Sequence, residues 1–187
     1  MAPFMIKKFD GSRRGFLQLS LTTIACTVAG PALAALPHFK SVRNLAFHNL
    51  HTDERLHITY WQNGKYSQDA HNKISHLLRD HYSGDVFPID MRLIDTVFDL
   101  QNRVQNDRPI EIISGYRSPT TNGRLASETT GVAKNSYHMK GMALDLRMSG
   151  TPLPRIYKTA LNMHRGGVGY YPDSQFVHID VGPLRTW

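Results

Sequence analysis

The segment His138-Met-Lys-Gly-Met-Ala-Leu-Asp145 decides how this chain is interpreted, together with Phe176-Val-His-Ile-Asp180 a little over thirty residues later. His138, Asp145 and His178 provide two imidazoles and a carboxylate. This ligand set suits zinc and leaves a fourth coordination position open for water. An open position is typical of catalytic zinc, whereas structural zinc has four protein ligands. The single cysteine, Cys26, is far away in sequence and is not expected to complete the site.

The residues around these ligands indicate β-strands joined by a turn. His178 and Asp180 share one face of the later predicted strand, because side chains alternate along a strand. An unpaired buried imidazole or carboxylate is costly, so these residues need partners, which a metal and a hydrogen bond to a ligand would supply. Gly141 permits the turn that would bring His138 towards Asp145. A metal-free, hydrogen-bonded pair of histidine and aspartate is the alternative interpretation.

The pattern of apolar residues predicts one α+β domain with a mostly antiparallel sheet flanked by helices. The predicted strands, of which the first two form a hairpin, cover residues 44–50, 56–61, 110–113, 143–148, 166–171 and 175–181. The predicted helices have apolar residues at three- and four-residue steps and cover residues 67–81, 88–106 and 153–163. Residues 118–134 are predicted to form a loop with a short helix at 122–127. The elements lack a regular βαβ rhythm, which favours the antiparallel arrangement.

Residues 1–35 are predicted to be an export signal that is cleaved. A basic region, the pair Arg13-Arg14, an apolar run at 17–29 and the small-residue tripeptide Ala32-Leu-Ala34 follow one another. The paired arginines favour a Tat-type (twin-arginine) signal and a periplasmic location. The apolar run is too short to anchor the mature protein in a bilayer. A chance pair of arginines before a membrane anchor is the alternative. The predicted domain comprises residues 36–187.

The predicted mature chain, about 150 residues long, suits a single domain with one core. It has no cysteine, so its stability must come from packing and from any bound metal. Eighteen of the 22 Lys and Arg residues and 14 of the 15 Asp and Glu residues follow residue 35, which leaves a net charge of +4. This mildly basic balance favours an anionic partner such as a cell-wall polymer. The chain has no Lys/Arg cluster and no known nucleic-acid motif, so no nucleic-acid partner is expected.

Ser136-Tyr-His-Met-Lys-Gly-Met-Ala-Leu-Asp145 resembles the S-x-H-x-x-G-x-A-x-D signature of the zinc D-alanyl-D-alanine peptidase superfamily at every fixed position. Ser114-Gly-Tyr-Arg-Ser118 resembles the arginine motif of the same superfamily. The superfamily includes muramoyl carboxypeptidases, the D-Ala-D-Ala dipeptidases of vancomycin resistance and phage endolysins. The resemblance covers nearly the whole predicted mature chain. It implies a Hedgehog/DD-peptidase-like fold and a zinc peptidase that acts on peptidoglycan.

The resemblance also implies roles for individual residues. Zn²⁺ would be held by His138, Asp145 and His178. Arg117 would steady the developing oxyanion or a substrate carboxylate with its fixed fork of donors, and a surface arginine on a turn is the alternative. The expected reaction is hydrolysis of peptide cross-links in peptidoglycan, with links between two diaminopimelate residues favoured. The alternatives are a D,D- or L,D-carboxypeptidase that trims stem peptides, and a non-catalytic zinc-containing module that binds the cell wall.

The general base is the one role for which the chain departs from its relatives. Several relatives have a glutamate three residues before the second histidine ligand and others a histidine two residues before it, but Gln175 and Phe176 occupy these positions. Asp180 is the first candidate base, and orientation of a ligand histidine is its alternative role. Asp173 is the second candidate. The remaining histidines lack the pairing seen at the predicted site and are expected at surface or core positions: His38, His48, His51, His57, His71, His76, His81 and His164.

Overall fold

The computed structural model of the protein describes residues 42–128 and 132–187, so the predicted export signal lies outside the described residues. The strands are β1 Val42–Asn49, β2 Arg55–Gln62, β3 Lys65–Tyr66, β4 Ile110–Ser114, β5 Ala143–Met148, β6 Gly167–Tyr171, β7 Phe176–Asp180 and β8 Arg185–Thr186. The helices are α1 Gln68–Leu77, α2 Met91–Val104, α3 Pro119–Glu128 and α4 Leu153–Met163, with a 3-10 helix at Tyr137–Lys140. The α+β prediction is confirmed.

All eight strands belong to one sheet with the spatial order β3-β2-β1-β4-β5-β7-β6-β8. The pairs β1–β4 and β6–β8 are parallel, and the other neighbours are antiparallel. The prediction of a mostly antiparallel sheet is therefore confirmed. The short strands β3 and β8 were not predicted, because two residues are too few to produce a period of alternation.

The sheet and the helices share one hydrophobic core. Helix α1 packs on β2, α2 on β1, and α4 on β5, β6 and β7. Fully buried residues that alternate along the central strands contribute to this core: Leu45, Phe47, Leu144, Leu146, Val177 and Ile179. The intervening residues of β5 and β7 include Asp145, His178 and Asp180, which are also buried. The period of two along these strands therefore separates core residues from the residues of the predicted site.

The first two helices are shorter than predicted, because polar side chains set their limits. Helix α1 begins after Ser67 and α2 after Asp90, and each of these side chains accepts a hydrogen bond from a backbone N–H in the first turn. Helix α1 ends at Leu77, before the predicted end at His81, and Asp80 accepts hydrogen bonds from backbone N–H groups of the turn that follows. No helix in the described parts of the chain is long and apolar enough to cross a membrane.

Helix α3 is longer than the short helix predicted at 122–127. It begins at Pro119 and ends at Glu128. Proline is favourable at the start of a helix, where its missing N–H would have no intrahelical partner. Ser118 supports the same start, since its hydroxyl accepts a hydrogen bond from the N–H of Thr121 at 3.2 Å. The small and polar composition of this segment was therefore a poor guide to its structure.

Candidate metal centre

The structure brings His138, Asp145 and His178 together from three elements. Asp145 on β5 lies directly opposite His178 on β7 in the antiparallel register. His138 comes from the 3-10 helix, which ends at Gly141 with a φ of +63°. The carbonyl of Pro88 lies against Gly141, so a side chain there would collide with the backbone as well as strain it. The predicted turn at Gly141 is confirmed.

The atoms that could bind a cation lie at ligand spacing. Asp145 Oδ1 is 2.8 Å from His178 Nδ1 and 3.3 Å from His138 Nε2, and these two nitrogens are 3.2 Å apart. All three side chains are buried. Atoms bound about 2.0–2.1 Å from a tetrahedral zinc ion lie roughly 3.3 Å from one another, so the spacing fits such an ion. Within residues 42–128 and 132–187, this is the cluster of histidine, cysteine and acidic residues that could hold a metal.

Each histidine of the cluster has one ring nitrogen occupied by a fixed acceptor. His138 Nδ1 is 2.7 Å from the carbonyl oxygen of Gly115, and His178 Nε2 is 3.0 Å from Asp180 Oδ2. A carbonyl or an ionised carboxylate only accepts, so these two nitrogens carry the hydrogens. The other nitrogens, Nε2 of His138 and Nδ1 of His178, therefore point into the cluster and are the atoms through which the neutral rings could bind a cation.

Asp180 lies behind His178, on the side away from the cluster. Its oxygens accept hydrogen bonds from His178, from the backbone N–H groups of Gly167 and Gly182 at 3.1 and 2.8 Å, and from Arg185. Burial opposes ionisation of Asp180, but the hydrogen bonds, led by that of His178, outweigh it and hold the pKa at about 2. Asp180 is fully buried and does not line the cleft above the cluster. This geometry fits orientation of His178 and does not fit the expected role as general base.

The second candidate base, Asp173, is not part of the cluster. It is exposed in the turn between β6 and β7 and does not line the cleft. Among the described residues that line the cleft, Asp145 is the only one with a carboxylate. Position in or next to the strand made both aspartates reasonable candidates, but the direction of the Asp180 side chain depends on partners from β6 and from the C-terminal segment as well as on His178.

A cleft of about 620 Å³ opens above the cluster, and one wall of it is aromatic. Tyr171 stacks on Phe176 with ring centroids 4.5 Å apart, and the indole N–H of Trp187 donates to the Tyr171 hydroxyl at 2.6 Å. The guanidinium of Arg185 lies 4.7 Å from the ring of Tyr137. We call Tyr137, Tyr171, Phe176 and Trp187 the aromatic wall. Sequence reasoning missed it, because aromatic residues on short strands predict a core equally well.

Arg117 lies next to the cluster, at the opposite oxygen of Asp145. Its Nη2 is 3.7 Å from Asp145 Oδ2 and 3.2 Å from Ser114 Oγ, and its Nη1 is 3.4 Å from Asn122 Oδ1. The side chain is 13% exposed and lines the cleft. Arg117 is therefore not a surface arginine on a turn, and its donors can reach a group that is bound above Asp145.

The electrostatics of the cluster favour a positive charge between its members. Burial opposes ionisation of Asp145, but His138 and His178 outweigh it and hold the pKa of this carboxyl well below its ordinary value. Burial also lowers the pKa of His178, but hydrogen bonds to Asp145 and Asp180 more than compensate and raise it to about 8. Without a cation, a proton on His178 balances the carboxylate. A divalent ion can take the place of that proton.

The site combines two histidines and one aspartate at an open cleft, with an arginine beside them. This combination on a mostly antiparallel sheet is typical of a metallopeptidase. The model of the M15 peptidase family described as Peptidoglycan L,D-endopeptidase MepK matches residues 38–187, and the chain belongs to this family. The family assignment agrees with the resemblance found in the SxHxxGxAxD segment.

Individual relatives are similar over almost their whole length. The chain is 42% identical over 181 residues to the peptidoglycan L,D-endopeptidase MepK of Escherichia coli K12, which covers 96% of this chain and 99% of that protein. The same values hold for MepK of Shigella flexneri. The probable MepK of Haemophilus influenzae is 36% identical over 179 residues, which covers 95% of this chain and 96% of that protein.

Proposed function

We propose that this protein is a zinc endopeptidase that hydrolyses peptide cross-links of peptidoglycan, with L,D links between two diaminopimelate residues as its substrate. The observation that carries this proposal is the buried His–Asp–His cluster at the base of a cleft of about 620 Å³. A second cavity shares Arg117, Asp145 and Phe176 with the cleft, so there is further space next to Asp145 and Arg117. A cross-linked substrate extends to both sides of the scissile bond and needs such space. The names of the relatives support the same substrate class.

In this proposal His138, Asp145 and His178 hold the zinc ion. Bound there, zinc supplies a Lewis acid for the scissile carbonyl and lowers the pKa of a water molecule. Asp145 contributes the negative charge of the ligand set, and the two imidazoles bind as neutral rings. Three protein ligands would leave one coordination position of a tetrahedral ion for water, which is typical of a catalytic site and not of a structural one.

Arg117 is proposed to bind the oxygen of the scissile carbonyl, or a carboxylate of the substrate, as negative charge develops. Its planar fork of donors suits either group. Asn122 and Ser114 hold the guanidinium in place, so little reorganisation is needed during the reaction. The aromatic wall supplies apolar and edge-on contacts for the peptide on the other side of the cleft.

Asp180 is proposed to position His178, with Arg185 as its own partner. The hydrogen bond from His178 Nε2 fixes the ring so that Nδ1 faces the cluster. Arg185 donates to both oxygens of Asp180 and keeps its charge in place. The C-terminal segment therefore takes part in the site, although sequence reasoning assigned it no role.

The variant Asp180→Asn is expected to weaken zinc affinity by roughly tenfold to a hundredfold, the usual loss when the partner of a ligand histidine is changed. Turnover at saturating zinc should remain measurable, because the amide does not touch the reacting groups. Competition with a chromogenic chelator measures the affinity, and hydrolysis of muropeptides measures the turnover. Asp173→Asn, on the exposed turn, is the control and should change neither. Abolished hydrolysis with unchanged zinc affinity would assign Asp180 the role of base instead.

Zinc affinity is expected to fall as the pH is lowered through about 8, the value to which the pKa of His178 is raised in the metal-free protein. The ion must displace the proton, so one protonation step costs about a tenfold loss in affinity between pH 7 and pH 6. Chelator competition at several pH values measures this dependence. Asp180→Asn removes one cause of the raised pKa, so its curve should shift towards lower pH. An affinity independent of pH over this range would contradict the assignment of His178 as a ligand.

The reaction is tested with purified, zinc-loaded protein and three purified muropeptides. Dimers joined by an L,D bond between two diaminopimelate residues are expected to be split faster than dimers with a D-Ala–diaminopimelate bond. A monomeric tetrapeptide is expected to stay intact. Release of its terminal residue would favour the carboxypeptidase alternative. Binding to insoluble cell walls without any hydrolysis would favour the non-catalytic module.

We also propose that residues 1–35 direct export to the periplasm by the twin-arginine route, after which residues 36–187 act as the zinc peptidase domain. The pair Arg13-Arg14 before an apolar run supports the proposal. Fractionation of cells that express Arg13→Lys/Arg14→Lys tests it, since the variant protein should stay in the cytoplasm. Unchanged export of this variant would reject the twin-arginine route.

A further inference from the structure

A second cavity of about 210 Å³ lies next to the main cleft at the metal centre. It shares Arg117, Asp145 and Phe176 with the main cleft. The part beyond these shared residues is lined by His51, His81 and Tyr82, among others. We call this space the histidine cavity. Because the two spaces meet at Asp145, a molecule bound at the metal centre can extend into both.

Two stacked imidazoles form one side of the histidine cavity. His51, from the β1–β2 turn, lies parallel to His81 with ring centroids 3.8 Å apart, and Tyr82 packs on His81 at 4.2 Å. Asp80 holds this loop against α3, since its oxygens accept the N–H groups of Tyr82 and Ser118, each at 2.9 Å. The cavity is therefore built from side chains in fixed positions and not from a loose surface loop.

The Nε2 atom of His81 is buried and has no hydrogen-bond partner, the one such side-chain atom in the described parts of the chain. A buried polar atom without a partner is unfavourable, and each case needs an explanation. Other histidines in the same region are satisfied: His48 pairs with Asp53, and His71 contacts the carbonyl of Ile89. His81 lines the histidine cavity, so a hydrogen-bonding group bound there would be a partner for this atom.

With a cation at the cluster, the charges around the cavity favour an anionic partner. Asp145 also lines the cavity and lies 3.7 Å from Arg117, but a cation bound at the cluster balances its charge, and Arg117 adds a fixed positive charge. The negative charge of Asp80 is already engaged: burial opposes its ionisation, but hydrogen bonds from Thr121 and Ser118 outweigh this and keep its pKa well below the ordinary value. Burial, followed by the neighbouring His51, lowers the pKa of His81, which favours the neutral ring, and the tautomer with its hydrogen on Nε2 offers that N–H as a donor. A carboxylate would accept from this N–H within the field of Arg117.

We propose that the histidine cavity is the subsite for one peptide stem of the cross-linked substrate, and that His81 donates a hydrogen bond through Nε2 to a carboxylate of that stem. The proposal deepens the proposed function and rests on it. His81 would then distinguish cross-linked peptides that carry a free carboxylate from peptides in which it is an amide. An amide presents a neutral oxygen and an NH₂ group in place of two charged acceptors. Specificity for the second stem would therefore come from this loop, and specificity for the first from the aromatic wall.

The test compares a cross-linked muropeptide dimer with its counterpart in which the free carboxylates are converted to amides. The zinc-loaded proteins are wild type, His81→Phe, His81→Gln and His57→Phe. Phenylalanine keeps a ring to stack on His51 and removes the N–H, whereas glutamine restores a donor. His57 lies on the exposed face of β2 and serves as the matched control. Zinc content and thermal unfolding are measured for each variant.

Wild type is expected to prefer the carboxylate dimer by about tenfold or more in kcat/KM, the usual size for a hydrogen bond to a charged group. His81→Phe should lose this preference through a higher KM with kcat nearly unchanged, and His81→Gln should regain part of it. His57→Phe should behave as wild type. An unchanged preference in His81→Phe would overturn the proposal. So would a loss of kcat on both dimers with zinc still bound, since His81 would then act in the chemical step.

Binding of the same two dimers, measured by calorimetry, separates this proposal from the proposed function. One outcome is that wild type binds the carboxylate dimer more tightly, that His81→Phe abolishes this difference, and that neither dimer is cleaved. This outcome would support the subsite and reject the endopeptidase function. The opposite outcome is that wild type cleaves both dimers, and that wild type and His81→Phe each bind the two dimers equally well. This outcome would support the endopeptidase function and reject the subsite.

Discussion

Replacing His138, Asp145 or His178 by alanine is expected to remove most of the bound zinc and to reduce hydrolysis to background. Three protein ligands leave little redundancy, so the loss of one should exceed the roughly tenfold to hundredfold loss expected when only the partner of a ligand changes. Asp145→Ala should be the most severe of the three. It removes the charge of the ligand set and leaves Arg117 and two imidazoles facing one another without a counter-charge.

Elemental analysis of each purified variant, together with hydrolysis of cross-linked muropeptides, measures this loss. His164→Ala is the matched control for a histidine outside the site, since it ends α4 and is exposed. Removal of zinc from the wild-type protein with a chelator should reproduce the loss of activity, and added zinc should reverse it. Full activity in metal-free protein would contradict the zinc proposal as a whole.

Arg117→Ala is expected to lower turnover by about two to three powers of ten, the typical cost of one donor directed at a developing oxyanion. Zinc occupancy should stay near that of wild type, because Arg117 contacts the second oxygen of Asp145 at 3.7 Å and not the oxygen that faces the histidines. Arg117→Lys should recover little of the activity. An ammonium group cannot reproduce a planar fork of donors that is held by Ser114 and Asn122.

Single-turnover hydrolysis at saturating zinc measures the effect of Arg117→Ala on the chemical step. Arg147→Ala is a suitable control: it lies on β5 two residues after Asp145, pairs with Glu111, and does not line the cleft. Its turnover should match that of wild type. If Arg117→Ala instead loses its zinc or unfolds at a much lower temperature, then the arginine supports the cluster and takes no part in turnover.

The three residues of the cluster could be found in the sequence because strand alternation and motif spacing are local properties. Apolar residues at every second position of β5 and β7 predicted which side chains face the core, and Asp145 and His178 fell on the other face. Gly141 marked the turn for the same reason, since a positive φ is a property of one residue. The boundaries of the helices were less accurate, because capping side chains such as Ser67 and Asp90 compete with the apolar pattern.

The role of Asp180 could not be found in this way. Its spacing from His178 allowed a base in the cleft or a buried hydrogen-bond partner, and the choice depends on backbone N–H groups at Gly167 and Gly182 and on Arg185. These groups come from a different strand and from the C-terminal segment. Only their assembly around the carboxylate makes its buried, ionised state favourable, which directs it to the back of His178.

By itself, the sequence determined the α+β class, the antiparallel central strands, the three side chains of the candidate metal centre and the arginine beside them. The fold class and the strands follow from short periods along the chain, the three side chains from their spacing in a short motif, and the arginine from the resemblance of residues 114–118 to a family motif. Tertiary structure alone decided the aromatic wall, the position of Asp180 and the histidine cavity, where Nε2 of His81 has no hydrogen-bond partner. These features join side chains from distant elements, and their energies depend on burial and on partners that no local pattern records.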